Sequence, residues 1–144
     1  MTMRSAVVGF LLLSTLGGAI HAQDSASKST AAGVFTPEQA KRGAAAYNAN
    51  CASCHGDDLR STDREVTFLT ETAFKNGWIG KTIAQKFEVT RDTMPPRAER
   101  SLDDQVYLDI VTYILQFNKV PSGQQELKPD AEILKQIVIA DPAG

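Results

Sequence analysis

Apolar side chains recur at helical spacing in two stretches of this chain, and each stretch follows a helix-start signal. The first begins at Thr36-Pro37-Glu38-Gln39, with Thr as N-cap, Pro in the first turn and Gln completing a capping box. It predicts a helix that ends near Asn50. The second begins at Ser101-Leu102-Asp103-Asp104, again as a capping box, and continues to Phe117, with Asn118 as its end.

The rest of the chain has shorter patterns. Residues 65–89 carry scattered apolar anchors and predict one or two short helices, interrupted near Asn76-Gly77 and near Gly80. Thr93-Met94-Pro95-Pro96 predicts an extended loop, because each proline restricts itself and the residue before it. A last short helix is expected over residues 131–137, followed by a frayed chain end. Together these patterns predict an all-α fold.

The N-terminal residues have the order of a secretory signal peptide. A short positive start at residues 1–4 precedes the apolar run Ala6 to Leu13, and cleavage is expected after Ala22. The run is shorter than the roughly 20 residues of a spanning helix, so an uncleaved membrane anchor is the weaker alternative. We therefore expect residues 1–22 to be removed, leaving a periplasmic or secreted protein with no membrane span in its mature form.

Composition divides the remaining residues into three parts. Residues 23–33 are small and polar without an apolar period, and they predict a flexible linker that extends to residue 35. Residues 36–120 hold both long helices and form one predicted domain, since the length does not suffice for two. Residues 121–144 form a C-terminal extension with a short helix. Nucleic-acid binding would call for a basic patch, and at a net charge of −2 nothing in the sequence suggests one, so no nucleic-acid partner is expected.

Cys51-Ala52-Ser53-Cys54-His55 carries the chemistry of the chain. The pattern C-x-x-C-H is that of a haem c attachment site, where two thiols bond to haem vinyl groups and the imidazole becomes an axial iron ligand. Residues three and four apart lie on the same side of a helical turn. Cys51, Cys54 and His55 can therefore face one flat macrocycle, and we expect one covalent haem c per chain surrounded by the small helices.

The second axial ligand follows from the residue inventory. The sequence has two histidines and three methionines, and His21, Met1 and Met3 lie in the predicted leader. Met94 then remains, in a loop stiffened by prolines. A methionine that only fills a gap in the core is the alternative, but an iron that needs a sixth ligand favours the pair His55 and Met94. Such ligation raises the reduction potential and closes the iron to oxygen, as electron transfer requires.

Taken together, these residues resemble the class I c-type cytochromes with one haem. The resemblance covers about residues 36–117: a helix with Gly43 and Tyr47, the CASCH segment, a methionine in a proline-rich loop and an aromatic C-terminal helix. It implies a cytochrome c-like fold in which the first and last long helices cross near the haem. On this basis Gly43 and Tyr47 should meet the face that carries Ile110 and Tyr113.

Shorter motifs are similar to monohaem cytochromes and cytochrome domains associated with pyrroloquinoline-quinone dehydrogenases. They are Gly56-Asp57-Asp58-Leu59, Trp78-Ile79-Gly80-Lys81-Thr82, Thr93-Met94-Pro95-Pro96 and Tyr113-Ile114-Leu115 followed by Asn118. This similarity implies redox protein partners, with a quinoprotein dehydrogenase as the candidate. The family often places a Trp near the haem propionates, which makes Trp78 a candidate cofactor-binding residue. A plain core aromatic is the alternative.

The predicted function is a periplasmic monohaem c-type cytochrome of a respiratory chain, a monomer and not an enzyme. It would carry single electrons between a dehydrogenase or respiratory complex and an acceptor. The alternative is a five-coordinate haem c enzyme or gas sensor in which Met94 does not bind iron. A site without haem is disfavoured, because structural zinc takes four protein ligands and only Cys51, Cys54 and His55 are present. A thioredoxin-like motif would need a βαβ setting.

Overall fold

The structure is a computed structural model that describes residues 28–61 and 63–143. Its elements, in chain order, are β1 Lys28–Ser29, a 3₁₀ turn Thr30–Ala32, α1 Pro37–Asn50, α2 Ala52–His55, α3 Glu71–Trp78, α4 Ile83–Thr93, α5 Asp104–Phe117, α6 Ala131–Leu134 and β2 Ile137–Val138. The prediction of an all-α fold is confirmed, since the two strands are two residues long each. No helix in the described part is long and apolar enough to span a membrane. The predicted signal peptide lies outside the described residues.

Helices α1 and α5 cross in close contact at the centre of the fold. Gly43 allows this approach, because a Cβ atom there would lie 1.8 Å from the backbone oxygen of Asp109 and 3.0 Å from Cβ of Tyr113. One turn further along α1, the ring centroids of Tyr47 and Tyr113 are 5.2 Å apart. The crossing expected at Gly43, Tyr47 and Tyr113 is confirmed, and Ile110 is buried in the core beside it.

The helix ends follow the sequence signals in part. Helix α1 begins after Thr36, whose hydroxyl accepts the N–H of Gln39 at 3.0 Å. The predicted capping box is only half formed, because the Gln39 side chain turns into the core instead. Helix α5 ends at Phe117 as predicted, but it begins at Asp104 rather than beside Ser101 and has no side-chain cap.

In the middle of the chain, one of the two predicted helix interruptions is absent. Helix α3 continues through Asn76 and Gly77, and residues 79–82, with Gly80 at φ 78°, separate it from α4. Helix α4 starts with a complete capping box between Thr82 and Gln85. The pattern predicted one or two short helices, and two are present, but the interruption predicted at Asn76-Gly77 falls where the backbone stays helical.

The prediction of a flexible linker is wrong for residues 28–35. β1 pairs in parallel with β2, and the side chain of Phe35 is fully buried. The hydroxyl of Thr30, itself buried, accepts the N–H of Ala140 at 3.0 Å. Residues 23–27 lie outside the described part. A small polar segment is ordered here because a distant strand supplies the partners for its backbone.

The C-terminal extension is fastened to the domain rather than frayed. Ile139 donates to the carbonyl of Lys81 at 2.8 Å and accepts from the N–H of Gly80 at 2.9 Å. The predicted last helix is confirmed as α6 but stops at Leu134, and the chain then enters β2. The extension therefore packs against the turn between α3 and α4.

A polar cluster joins the same extension to the α1–α5 crossing. The fully buried Gln39 amide donates to Asp109 at 2.9 Å and to the carbonyl of Leu127 at 3.0 Å, and it accepts the N–H of Leu127. Arg42 bridges Asp109 at 3.0 Å and Glu126 at 2.7 Å. These bonds satisfy a buried carboxylate and fix the chain that follows α5.

Candidate haem site

The C-x-x-C-H segment forms α2, a single helical turn directly after α1. The carbonyl of Cys51 accepts the N–H groups of Cys54 at 3.1 Å and of His55 at 2.9 Å. This bonding places the two cysteines and the histidine on one side of the turn. Both thiols are free rather than joined in a disulfide. The turn therefore offers two sulfurs and an imidazole to a single flat group.

The His55 ring is oriented by a main-chain carbonyl. Its Nδ1 lies 3.2 Å from the oxygen of Thr67. A protonated Nδ1 donates to this oxygen and leaves the lone pair on Nε2, the tautomer that an iron ligand requires. The sequence could not indicate Thr67, because every residue has a carbonyl and only the fold selects this one.

A tyrosine of α1 binds the backbone of the residue that follows α2. The Tyr47 hydroxyl donates to the carbonyl of Gly56 at 2.7 Å. Gly56 has φ 77°, and a Cβ atom there would come within 2.4 Å of the backbone oxygen of Arg60. Burial, and then the nearby Cys51, raise the pKa of the Tyr47 hydroxyl, so it stays protonated and remains a donor. The turn after the motif is thereby held to α1.

The environment of Cys51 separates the haem interpretation from a thiol redox site. Burial, together with Cys54, raises the pKa of Cys51 to about 11. Reactive cysteines of redox motifs have pKa values lowered below the ordinary one, since the thiolate is the reacting form. Cys51 therefore lacks the lowered pKa of a disulfide-exchange cysteine.

Met94 stands where α4 ends. Its backbone is extended, with φ −129° and ψ 147°, and a cis peptide bond joins it to Pro95. Its N–H donates to the carbonyl of Thr90 at 3.0 Å, and its own carbonyl accepts the hydroxyl of Tyr107 at 2.9 Å. The extended backbone predicted here is confirmed at Met94, while Thr93 belongs to the helix. Met94 is thus held between α4 and α5, with its side chain half-buried.

Ion pairs close the base of the Met94 loop. Arg91 contacts Asp92 at 2.8 Å and Asp104 at 3.7 Å, and Arg100 contacts Asp92 at 3.1 Å. The N–H of Arg100 also donates to the carbonyl of Arg91 at 3.0 Å. The hydrogen bond from Arg91 lowers the pKa of Asp92, so the pairs persist at neutral pH. The end of α4 is therefore joined to the segment that leads into α5.

Trp78 packs in the core near the end of α3. Its ring stacks on Phe74 with centroids 5.5 Å apart, and Lys86 Nζ lies 5.2 Å from the ring centroid. Burial, and then the neighbouring Lys81, lower the pKa of Lys86. The residue is 6% exposed. Its indole N–H donates to no group in the described part of the chain and is not fully buried. The core packing is observed, and the role toward a propionate stays a prediction.

A cavity of about 520 Å³ lies away from these residues. It is bordered by the start of α3, the end of α5 and residues 141–143. Phe74 and Phe117 contribute apolar walls, but none of the motif residues lines it. Cys51, Cys54, His55 and Met94 do not line this cavity, whereas Phe74, which stacks on Trp78, does.

The residues present fit a covalently attached haem. Two unlinked sulfurs and an imidazole share one side of a turn, and Nδ1 of the histidine faces the Thr67 carbonyl, which leaves Nε2 as the nitrogen for a metal. Sequence reasoning missed Tyr107, because its bond to Met94 joins residues brought together only by the fold. The apolar spacing of α5 indicated burial at this position but not the bond.

Comparison with known proteins agrees with this geometry. Residues 38–114, more than half of the chain, match the family described as cytochrome c oxidase, cbb3-type, subunit III. A search of the curated proteins gave no match. Among solved structures, the chain is similar to the sulfane dehydrogenase SoxCD from Paracoccus pantotrophus, with 21% identity over 92% of this chain and 69% of that chain. The TM-score is 0.50, and at this identity the likeness supports the fold alone. The chain therefore belongs to the cytochrome c oxidase, cbb3-type, subunit III family and is an electron-transfer c-type cytochrome with covalently bound haem c.

Proposed function

We propose that the chain is a monohaem electron carrier whose haem is attached at Cys51 and Cys54 and ligated by His55 and Met94. The observation that carries this proposal is the single helical turn that places both sulfurs and the imidazole together, with His55 Nδ1 bound to Thr67. The haem supplies a one-electron couple when bound. The protein residues attach it, orient its histidine ligand and hold the methionine loop.

The proposed methionine ligand would raise the reduction potential of the haem and fill its second axial position. A thioether raises the reduction potential of a haem relative to a second nitrogen ligand. Met94 is supported as that ligand by its fixed backbone between α4 and α5 and by the ion pairs that close its loop. With both axial positions filled by protein, the site transfers electrons and binds no small substrate.

The test is Met94→Ala in the purified holoprotein. We expect the haem to stay covalently attached while the reduction potential falls, the near-infrared methionine-to-iron band disappears and the ferrous form binds carbon monoxide. Pro96→Ala is the matched control, because it changes the same loop without removing a thioether. A wild-type protein that lacks the band and binds carbon monoxide would support the five-coordinate enzyme or gas sensor instead.

We also propose an extracytoplasmic location. The support is the order of charged, apolar and small residues before Ala22. Mass spectrometry of the mature protein from the periplasmic fraction should show loss of residues 1–22 and one added haem. A mature chain that retains the leader would contradict the location.

The proposed partners are redox proteins that exchange single electrons with the haem. The short motifs shared with pyrroloquinoline-quinone dehydrogenase cytochromes support a quinoprotein dehydrogenase as donor. We also propose that the chain is monomeric when it is not bound to a partner. Stopped-flow reduction by such a dehydrogenase tests the partner. Absence of reduction at any ionic strength would remove it from consideration.

Trp78 is proposed as a donor to a haem propionate. Its support is an indole N–H that donates to no group among the described residues and is not fully buried, so that it is open to a further acceptor. Trp78→Phe should keep the stacking on Phe74 and change the reduction potential. An unchanged potential would leave Trp78 as a core aromatic only.

A further inference from the structure

Tyr107 connects the interior of α5 to the backbone of Met94. Its side chain is 1% exposed, and its hydroxyl donates to the Met94 carbonyl at 2.9 Å. The Met94 N–H is bound by Thr90 of α4, so both polar groups of this backbone are occupied. We propose that Tyr107 is a positioning residue for Met94 as an iron ligand, an inference that rests on the proposed function.

On the C-terminal side of Met94, the carbonyl of Pro95 accepts the N–H of Ala98 at 2.9 Å, a bond that stays within the loop and does not join it to a helix. Pro95 and Pro96 have no N–H to donate. Among the described residues, Tyr107 is the only one whose side chain bonds to the backbone of Met94 or of either proline. The ion pairs at the base of the loop involve Arg91, Asp92, Arg100 and Asp104 and do not include Met94.

Loss of the hydrogen bond between Tyr107 and Met94 should weaken the binding of Met94 to the iron. Without the hydroxyl, the Tyr107 ring can still pack, but the Met94 carbonyl loses the contact that ties it to α5. The ligand-off conformation then becomes easier to populate. A net intramolecular hydrogen bond corresponds to about a two- to tenfold change in an equilibrium constant.

The experiment titrates ferric holoprotein with imidazole, which competes with Met94 for the iron. Loss of the near-infrared methionine-to-iron band reports displacement, and thermal unfolding is measured on the same samples. We expect Tyr107→Phe to lower the apparent Kd for imidazole about two- to tenfold relative to wild type. A purely structural role would lower the unfolding temperature without changing this Kd.

Two matched tyrosines serve as controls. Tyr113→Phe changes the same helix at a hydroxyl that makes no hydrogen bond in the described part of the chain, and it should leave the Kd unchanged. Tyr47→Phe removes a bond of 2.7 Å on the His55 side and should affect stability more than imidazole binding.

Several results would overturn the inference. One is an apparent Kd for imidazole that is unchanged in Tyr107→Phe. Another is a decrease of this Kd in Tyr47→Phe as large as that in Tyr107→Phe, which would indicate that any destabilisation of the fold weakens the Met94 ligand. If Tyr107→Phe yields no holoprotein, 3-fluorotyrosine at position 107 provides a stronger donor. It should weaken imidazole binding, and the opposite change contradicts the proposal. A wild-type ferric protein without the band would refute ligation by Met94 itself, so the two failures are distinguishable.

Discussion

A Cβ atom at position 43 would lie 1.8 Å from the backbone oxygen of Asp109, so Gly43 and Asp109 set the distance between α1 and α5. The contact could not be relieved by a side-chain rotation, because the opposing atom belongs to the backbone of α5. The two long helices can therefore cross at this point only with glycine. Since α1 leads directly into the C-x-x-C-H turn, this crossing also fixes where the turn begins.

Gly43→Ala is expected to force the two helices apart. Overpacking of this kind lowers the free energy of unfolding by about 1–3 kcal/mol or more. Chemical denaturation of the holoprotein measures the change. The control is Gly77→Ala in α3, where an added Cβ meets no atom within 4 Å. That change should raise stability by about 0.5–1 kcal/mol, since alanine is the better helix former. Equal effects of both changes would contradict the crossing.

Gln39→Ala should release the C-terminal extension from the core. The amide makes hydrogen bonds to Asp109 and to both backbone groups of Leu127, all in a buried environment. Gln105 still donates to Asp109 at 2.8 Å and to the Leu127 carbonyl at 3.2 Å, so the group left without a partner is the N–H of Leu127. Leaving one buried donor unpaired lowers the free energy of unfolding by about 1–3 kcal/mol. Hydrogen exchange should show faster exchange at Leu127. Gln124→Ala, at an exposed position, is the control and should change neither quantity.

The Arg42–Glu126 pair predicts a loss of stability in acid. The hydrogen bond from Arg42 lowers the pKa of Glu126 below its ordinary 4.5. A depressed folded-state pKa means that the contribution is complete above about pH 4.5 and declines as the pH falls through the lower folded-state value.

The comparison is between wild type and Glu126→Gln, each unfolded at a series of pH values. The stability advantage of wild type should be present at pH 7 and shrink below about pH 4.5. Glu65→Gln is the control, because Glu65 is exposed and makes no ion pair in the described part of the chain. An advantage of Glu126 that stays constant into acid would show that the pair does not contribute.

The two cysteines should contribute one thioether bond each. Cys54→Ala is expected to keep the haem attached through Cys51 and to shift the pyridine haemochrome band toward that of a haem with one free vinyl group. The double change Cys51→Ala and Cys54→Ala should release the haem on acid extraction. Ser53→Ala lies between them and should behave as wild type. Retention of haem by the double variant would contradict covalent attachment at these positions.

Local signals account for the elements that were predicted well. Thr36 and Pro37 start α1, and the apolar period of α5 ends at Asn118, because capping and periodicity act within a few residues. Gln39 shows the limit of such signals. Its spacing from Thr36 suits a capping box, but the buried Asp109 and Leu127 offer it more hydrogen bonds than the helix start does.

The sequence by itself determined the cofactor, the all-α class and the pair of candidate ligands, because C-x-x-C-H, helical periodicity and a residue inventory are local or countable. The tertiary structure decided which distant groups hold those ligands: the Thr67 carbonyl behind His55 and the Tyr107 hydroxyl on Met94. It also decided that residues near 28 and 138 pair as strands. Such bonds join residues far apart in the chain, so their partners exist only once the helices have packed and the buried backbone groups must find donors and acceptors.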